Sequence, residues 1–266
     1  MGEGTAGAGL LTLSADTATD RRSVAVMRGR RVLALRAGEL RDGGASSALS
    51  EIDAALREAS VALRDVELLA VAAGPGSFTG LRSGIATMKA LAVTLNKPLV
   101  GVQTLHAVAF AARPARRLVA MLPAGRGEVF AQVLGASGEG VFELDDEGVA
   151  APPRHVPPAR LLEELALGGG GLKFAGAGAE KYFDLIEGAG RGAGLKVRRA
   201  ASPAEEAGEG EWLVLAGGAE ALAESVGLLA QAKLAAGEGA GADELRAIYV
   251  RPSDAELKER CQAPGQ

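Results

Sequence analysis

The chain predicts an α/β protein of two lobes, the second a degenerate copy of the first. Three observations predict it. The first hundred residues read as three short apolar strands followed by helix, strand, helix and strand. A weaker version of that order recurs after Thr104. Hydrophobic residues make up 48% of the 266 positions and aromatic ones only 3%, so a packed core must be built from Ala, Val and Leu.

Each element has a local reason. Leu10–Ala15, Ser23–Arg28 and Val32–Arg36 read as a meander with turns at 16–22 and at Gly29-Arg30. Leu49, Ile52, Leu56 and Ala59 recur at helical spacing and define a helix over 46–59. Leu68–Ala73 is an unbroken apolar run, the mark of a strand buried on both faces. A glycine-rich loop, Gly74 to Gly84, then opens a helix over 79–95, and Leu99–Val102 closes the lobe as a strand. Pro75 stiffens that loop, Gly74 and Gly76 permit positive φ, and Ser77 or Thr79 can cap the helix.

The second half predicts a helix at Leu105–Ala112 and strands at Leu118–Leu122, Val129–Leu134 and Val141–Leu144. Ala151–Pro158 reads as a proline-rich linker before a helix at Ala159–Leu167. Strands at Leu172–Ala175 and Trp212–Leu215 each precede a helix, Ala177–Ile186 and Ala219–Leu234. Gly188–Gly194 and Gly237–Gly241 read as exposed loops. The chain therefore divides into a flexible arm at 1–9, a first lobe at 10–103, a second at 104–250 and a tail at 251–266.

Charge narrows the function. The net charge is −4, whereas a protein gripping RNA by itself normally carries a basic surplus. Arg21, Arg22, Arg28, Arg30, Arg31, Arg36 and Arg41 do cluster, and the reading favoured is the solvated face of a meander. Cys261 is the sole cysteine, so no internal disulfide can form, which fits a cytoplasmic protein. The N-terminus has no basic region of a signal peptide, and no apolar run is long enough to span a bilayer.

The loop fails two nucleotide templates. A P-loop needs Lys and a hydroxyl residue after its last glycine, but Gly80 is followed by Leu81 and Arg82. A dinucleotide fingerprint needs two residues between its second and third glycines, and here Ser77, Phe78 and Thr79 intervene. Nucleophilic catalysis is poorly supported, because Ser77 does not sit in a nucleophile-elbow sequence.

The string GPGSFTGLRSGIATMKALA, Gly74 to Ala92, resembles the signature of the bacterial TsaB family. Further anchors are Leu13 to Thr19, Ser23 to Val26, Gly101 to Leu105, Gly127 to Phe130 and Ile248 to Arg251. The resemblance implies two RNase H-like lobes of the actin-like ATPase and sugar-kinase superfamily. It implies a non-catalytic subunit that binds and activates a catalytic paralogue, TsaD, and works with a small ATPase, TsaE, in making threonylcarbamoyladenosine next to the tRNA anticodon. ATP and Mg²⁺ would be used by the partner complex, with no cofactor held tightly here and tRNA contacted only indirectly. A homodimer through the same surface is a further expectation.

In similar proteins the first two helices pair with the same helices of TsaD. That places Leu49, Ile52, Leu56, Gly80, Leu81, Gly84, Ile85 and Met88 at the expected interface. Asp16, Thr17, Gly74, Gly76, Ser77 and Thr79 form the candidate vestigial nucleotide site. Active superfamily members use an acidic group at the place of Asp16 to approach Mg²⁺, and hard cations want oxygen ligands. The rival reading, which the missing partners favour, is that Asp16 caps its own turn. The matching turn in the second half has Pro123 where similar proteins carry Asp. No metal site is expected. The first helix lacks the paralogue's His pair, and His106 and His155 are far apart in sequence, the former reading as structural and the latter as solvent-exposed.

Overall fold

The computed structural model describes residues 9–39, 48–137, 140–143, 152–215, 217, 221–238 and 241–250. Residues 1–8 of the arm, Arg41, Ser46, Ser47, Cys261 and the tail lie outside the described residues.

The first sheet is built from β1 (Leu11–Asp16), β2 (Arg21–Arg28), β3 (Arg31–Glu39), β4 (Leu68–Gly74) and β5 (Leu99–Gln103), in the order β3-β2-β1-β4-β5. β1 and β2 pair antiparallel with Leu13 opposite Val26, while β1 and β4 pair parallel with Leu13 opposite Leu69. Helices α1 (Ala48–Glu58) and α2 (Phe78–Leu95) complete the sequence of this unit. Alternation within each strand decides what meets each face. Leu11, Leu13 and Ala15 of β1 join Leu69, Val71 and Ala73 of β4 in one cluster with Ile52, Leu56, Ile85 and Met88 of α1 and α2. Arg36 on β3 fastens α1 by pairing with Glu51 at 2.9 Å and Glu58 at 3.4 Å.

The second sheet repeats the plan. Its strands are β6 (Ala115–Gly125), β7 (Glu128–Ala136), β8 (Val141–Glu143), β9 (Arg154–Val156), β10 (Leu172–Ala175), β11 (Lys196–Ala200) and β12 (Glu211–Leu215). The path β8-β7-β6-β10-β12 mirrors β3-β2-β1-β4-β5, with β11 added beyond β12 and β9 pairing β7. The outer face carries α4 (Pro158–Leu167), α5 (Ala177–Lys181) and α6 (Phe183–Gly192) over a cluster centred on Phe174 and Trp212, whose rings lie 5.1 Å apart.

The helix that closes each half crosses to the other. α3 (Thr104–Ala111) follows β5 yet packs on β6 and β7, and α7 (Ala223–Ala235) follows β12 yet packs on β1, β2 and β4. The two helices also touch, forming a middle layer between the sheets. The sequence division at Thr104 therefore separates the sheets but not their helices. α7 is pinned by the Ser14 hydroxyl, which donates to Ala223 O at 2.7 Å, by Ser23 Oγ accepting from Ala223 N at 3.0 Å, and by Gln231, which donates to Thr12 Oγ1 and Gly29 O, each at 3.0 Å.

Several expectations for the second half are corrected. The proline-rich linker contains β9, because Arg154, His155 and Val156 pair with Ala131, Phe130 and Val129. The helix expected over 177–186 breaks at Tyr182 into α5 and α6, and α6 runs on through the glycines read as a loop. Gly190 is there for proximity: a Cβ on it would lie 2.5 Å from Val197 Cγ2 and 2.9 Å from the Trp212 ring. Gly188, one residue pair earlier, faces open space. In urea unfolding we expect Gly188→Ala to stabilise by about 0.5–1 kcal/mol through helix propensity. Gly190→Ala is expected to destabilise by about 1–3 kcal/mol through overpacking. Equal effects at the two positions would remove this account of the helix.

Candidate functional site

The signature loop is explained by how closely α2 lies against the turn after β1. Ser77 N donates to Ala18 O at 2.7 Å, and Ser77 Oγ caps α2 by accepting from Gly80 N at 3.3 Å. The Thr17 hydroxyl donates to Gly80 O at 2.8 Å. A Cβ at Gly76 would stand 2.3 Å from Ala18 O, one at Gly80 1.9 Å from Thr17 O, and one at Gly84 2.0 Å from Thr17 Oγ1. No side chain fits at these positions. Gly74 adopts φ +112°, and a Cβ there would lie 2.5 Å from Ile248 O. The segment at 245–250 thus returns to this loop: Ile248 N donates to Ala73 O at 2.7 Å, and the Tyr249 ring lies 5.5 Å from that of Phe78.

Asp16 is fully buried at the end of β1. Its Oδ1 accepts from Ala18 N at 2.8 Å and its Oδ2 from the Thr19 hydroxyl at 2.5 Å. Both oxygens serve the turn, as the capping reading expects. Burial pushes the carboxyl up to about 6, against the opposing pull of those hydrogen bonds.

A cleft of about 710 Å³ lies between the lobes. Its walls are the β1–β2 turn, the signature loop, the β6–β7 turn, the start of α5 and the segment at 248–250. Of the six candidate nucleotide residues only Gly76 and Ser77 line it. Asp16, Thr17 and Gly74 are turned into the protein, and Thr79 lies outside on α2. The lining is largely apolar, including Phe78, Leu122, Pro123, Phe130 and Tyr249, with Arg82 and Lys181 as cations and, among the described residues, Asp20 as the one carboxylate. This donor set does not fit a magnesium-bound nucleotide, which needs several convergent oxygen and cationic groups. Among the described residues no three His, Cys, Asp or Glu side chains are placed to hold a metal ion.

The expected interface residues are mostly on the wrong side of their helices. Ile52, Leu56, Leu81, Ile85 and Met88 are buried in the chain's own core, and Gly80 and Gly84 press on Thr17. Leu49 alone of the eight is exposed, at 54%. The outward flank of α2 is instead Arg82, Ser83, Ala86, Ala90 and Val93, the last 68% exposed. An apolar stripe reports the face a helix buries, so the sequence marked the inner flank.

His155 is also corrected. It is half-buried on β9, its Nε2 2.9 Å from Glu128 Oε2 and its ring 5.4 Å from Phe130. His106 lies half-buried in α3. One buried cation carried no sequence signal. Lys173 Nζ donates to Ala112 O at 2.7 Å, to Pro114 O at 3.3 Å and to Pro203 O, and burial lowers it to about 8.

Two sheets of the same βββαβαβ plan define the class: two RNase H-like lobes of the actin-like ATPase and sugar-kinase superfamily, the second carrying extra strands. A family model described as TsaD, tRNA N6-adenosine threonylcarbamoyltransferase, matches residues 45–199, more than half of the chain. YeaZ from Pseudomonas aeruginosa superposes with a TM-score of 0.67 at 25% identity, covering 90% of this chain and 99% of that one. The tRNA threonylcarbamoyladenosine biosynthesis protein TsaB of Haemophilus influenzae is 36% identical over 134 residues, 47% of this chain and 54% of that protein. A tRNA N6-adenosine threonylcarbamoyltransferase of a Chelativorans species is 46% identical over 67 residues, 25% of this chain and 18% of that protein. The chain thus spans about half the length of the first of these curated relatives and about a fifth of the second. The chain belongs to the family that the model describes, and within it to the TsaB family. No helix among the described residues is long and apolar enough to cross a membrane.

The buried Asp16 gives a pH test. Its folded-state value of about 6 lies above the ordinary 3.8, so protonation favours the fold. The resulting stability is complete below about 4 and is lost as pH rises through about 6, a change of about 3 kcal/mol. Asp16→Asn keeps an acceptor for Ala18 N and removes the charge. Denaturation at pH 4.5 and 7.5 should show the variant gaining on the native chain at the higher pH. An unchanged difference between the two pH values would mean that Asp16 is not strained by its burial.

Proposed function

We propose that this chain is a non-catalytic subunit that binds and activates a TsaD-like threonylcarbamoyltransferase. That enzyme would form threonylcarbamoyladenosine next to the tRNA anticodon, with a TsaE-like ATPase as a further member of the complex. ATP and Mg²⁺ are used by the complex rather than held in this chain. The observation that carries the reading is the uncovered flank of α2: Ala86, Ala90 and Val93 are exposed on a helix whose other flank is core, and Leu49 is exposed in the first turn of α1. Small residues on that flank let a second pair of helices approach closely. A stable complex on it would bury about 800 Å² per partner. The poverty of oxygen ligands in the cleft supports the same division of labour.

Val93→Glu places a charge on this flank, and Leu49→Glu places one at the exposed start of α1. Each is expected to weaken capture of the TsaD-like partner at least about tenfold while changing unfolding free energy by no more than about 0.5 kcal/mol. Ile85 and Met88, which the apolar stripe singles out, are unsuitable probes. Met88 is fully buried, so Met88→Glu should unfold the subunit itself. Unaltered partner binding by both outward variants in size-exclusion and tRNA-modification assays would refute the docking flank.

A second reading is an ATP-dependent kinase or hydrolase, favoured by a cleft large enough for a small ligand. Calorimetry with Mg·ATP, alone and after Lys181→Ala, which removes a cation lining the cleft, separates the two. Tight binding lost in the variant supports the enzyme. The same flank can also pair with itself in an isologous dimer. Mass measurement with and without the transferase tells whether the two partners compete.

A further inference from the structure

We infer that the end of the molecule opposite the cleft is a contact surface for the phosphate backbone of RNA, formed by Arg28, Arg30 and Arg31 on the β2–β3 hairpin and by Arg113 on the α3–β6 connection. The inference rests on the reading that the chain serves tRNA modification, and it replaces the expectation, drawn from net charge, of indirect contact only.

The hairpin places its guanidinium groups where they repel. Arg28 and Arg31 are directly opposite each other in the last pair of the β2–β3 ladder, with Gly29 and Arg30 forming the turn. Like charges directly opposite across strands destabilise a sheet. All three arginines are exposed, and among the described residues none has a carboxylate partner. Arg113 joins them from the other lobe, its guanidinium stacked 3.6 Å from the Phe110 ring centroid and donating to Phe110 O. Burial first, and then the Arg30 charge, hold Arg113 below its usual range, with Glu224 acting in the opposite direction. Glu67, at the same end of the sheet, is occupied in accepting from Leu11 N at 2.8 Å.

A net-acidic chain that gathers unpaired arginines from two lobes at one end has arranged a site for a polyanion. Guanidinium groups suit phosphate oxygens through bidentate geometry. The similar protein of Haemophilus influenzae is a tRNA threonylcarbamoyladenosine biosynthesis protein, which selects RNA over an anionic membrane as the polyanion. Neither the β2–β3 turn nor Arg113 belongs to the α1–α2 flank, so a transferase docked there leaves this end open.

The test uses the full chain with its TsaD-like partner and fluorescently labelled tRNA, titrated at several salt concentrations. Each phosphate contact removed lowers the log–log salt slope by roughly one. Arg28→Gln, Arg30→Gln and Arg31→Gln combined should lower it by about three, and Arg30→Gln alone by about one, with thermal unfolding unchanged or raised. A folded variant with an unchanged slope overturns the inference, as does binding to phosphatidylserine vesicles without binding to tRNA. Partner capture by the native chain is measured in parallel. Captured partner with an unchanged slope defeats this inference alone, whereas a reduced slope without partner capture defeats the docking reading alone.

Discussion

The contact between α2 and the turn after β1 governs much of this molecule. Three glycines at 76, 80 and 84 bring a helix so near Thr17 and Ala18 that no Cβ has room. This proximity draws Thr17 into a hydrogen bond with Gly80 O, and Asp16 is consumed by its own turn. A strand-to-helix glycine loop that elsewhere cradles phosphate here closes on protein backbone. The same contact sets the rotation of α2, sending Leu81, Ile85 and Met88 inward and leaving Ala86, Ala90 and Val93 outside. One packing constraint accounts both for a cleft poor in reactive groups and for a helix with a flank to spare.

Duplication supplies the second theme. Each sheet follows one plan, and the differences are additions at the edges. The inter-lobe turns have diverged in chemistry and in length: the first offers Asp16 and Thr17 and encloses residues 17–22, the second offers Pro123 and Ala124 and closes tightly between Gly125 and Glu128. Polar side chains persist where they fasten the middle layer, as Ser14, Ser23 and Gln231 do for α7. Buried polar groups with partners specify an arrangement that apolar packing by itself leaves less defined.

The first lobe was legible because its signals are local. Leu68–Ala73 could only be a buried strand, and the glycine loop announced itself by composition. The site was half legible. Periodicity located both α1 and α2 but picked mainly their inner flanks, since alanines and an isolated Val93 give no apolar stripe. Gly76, Gly80 and Gly84 were visible as residues, but what they approach lies some sixty positions away. In the second lobe, Gly188–Gly194 read as a loop, but α6 runs on to Gly192 because glycine propensity is weak evidence against the packing of α6 on Trp212. β11, written Lys-Val-Arg-Arg-Ala, is a half-exposed edge strand whose charges mask alternation. β9 was hidden by the prolines flanking it. Nothing in the strand Leu172–Ala175 marked Lys173 as buried, and only the convergence of three carbonyls explains its burial.

The exchange of closing helices has a mechanical consequence. Clamp-like two-lobed proteins swing about a flexible connector, each lobe moving as a rigid body. Here each lobe has its final helix embedded against the other's sheet, so any such swing would shear α3 over α7 and strip Ser14 and Gln231 of their partners. The space between the lobes is therefore a fixed notch rather than a jaw, and whatever it admits must fit its resting width.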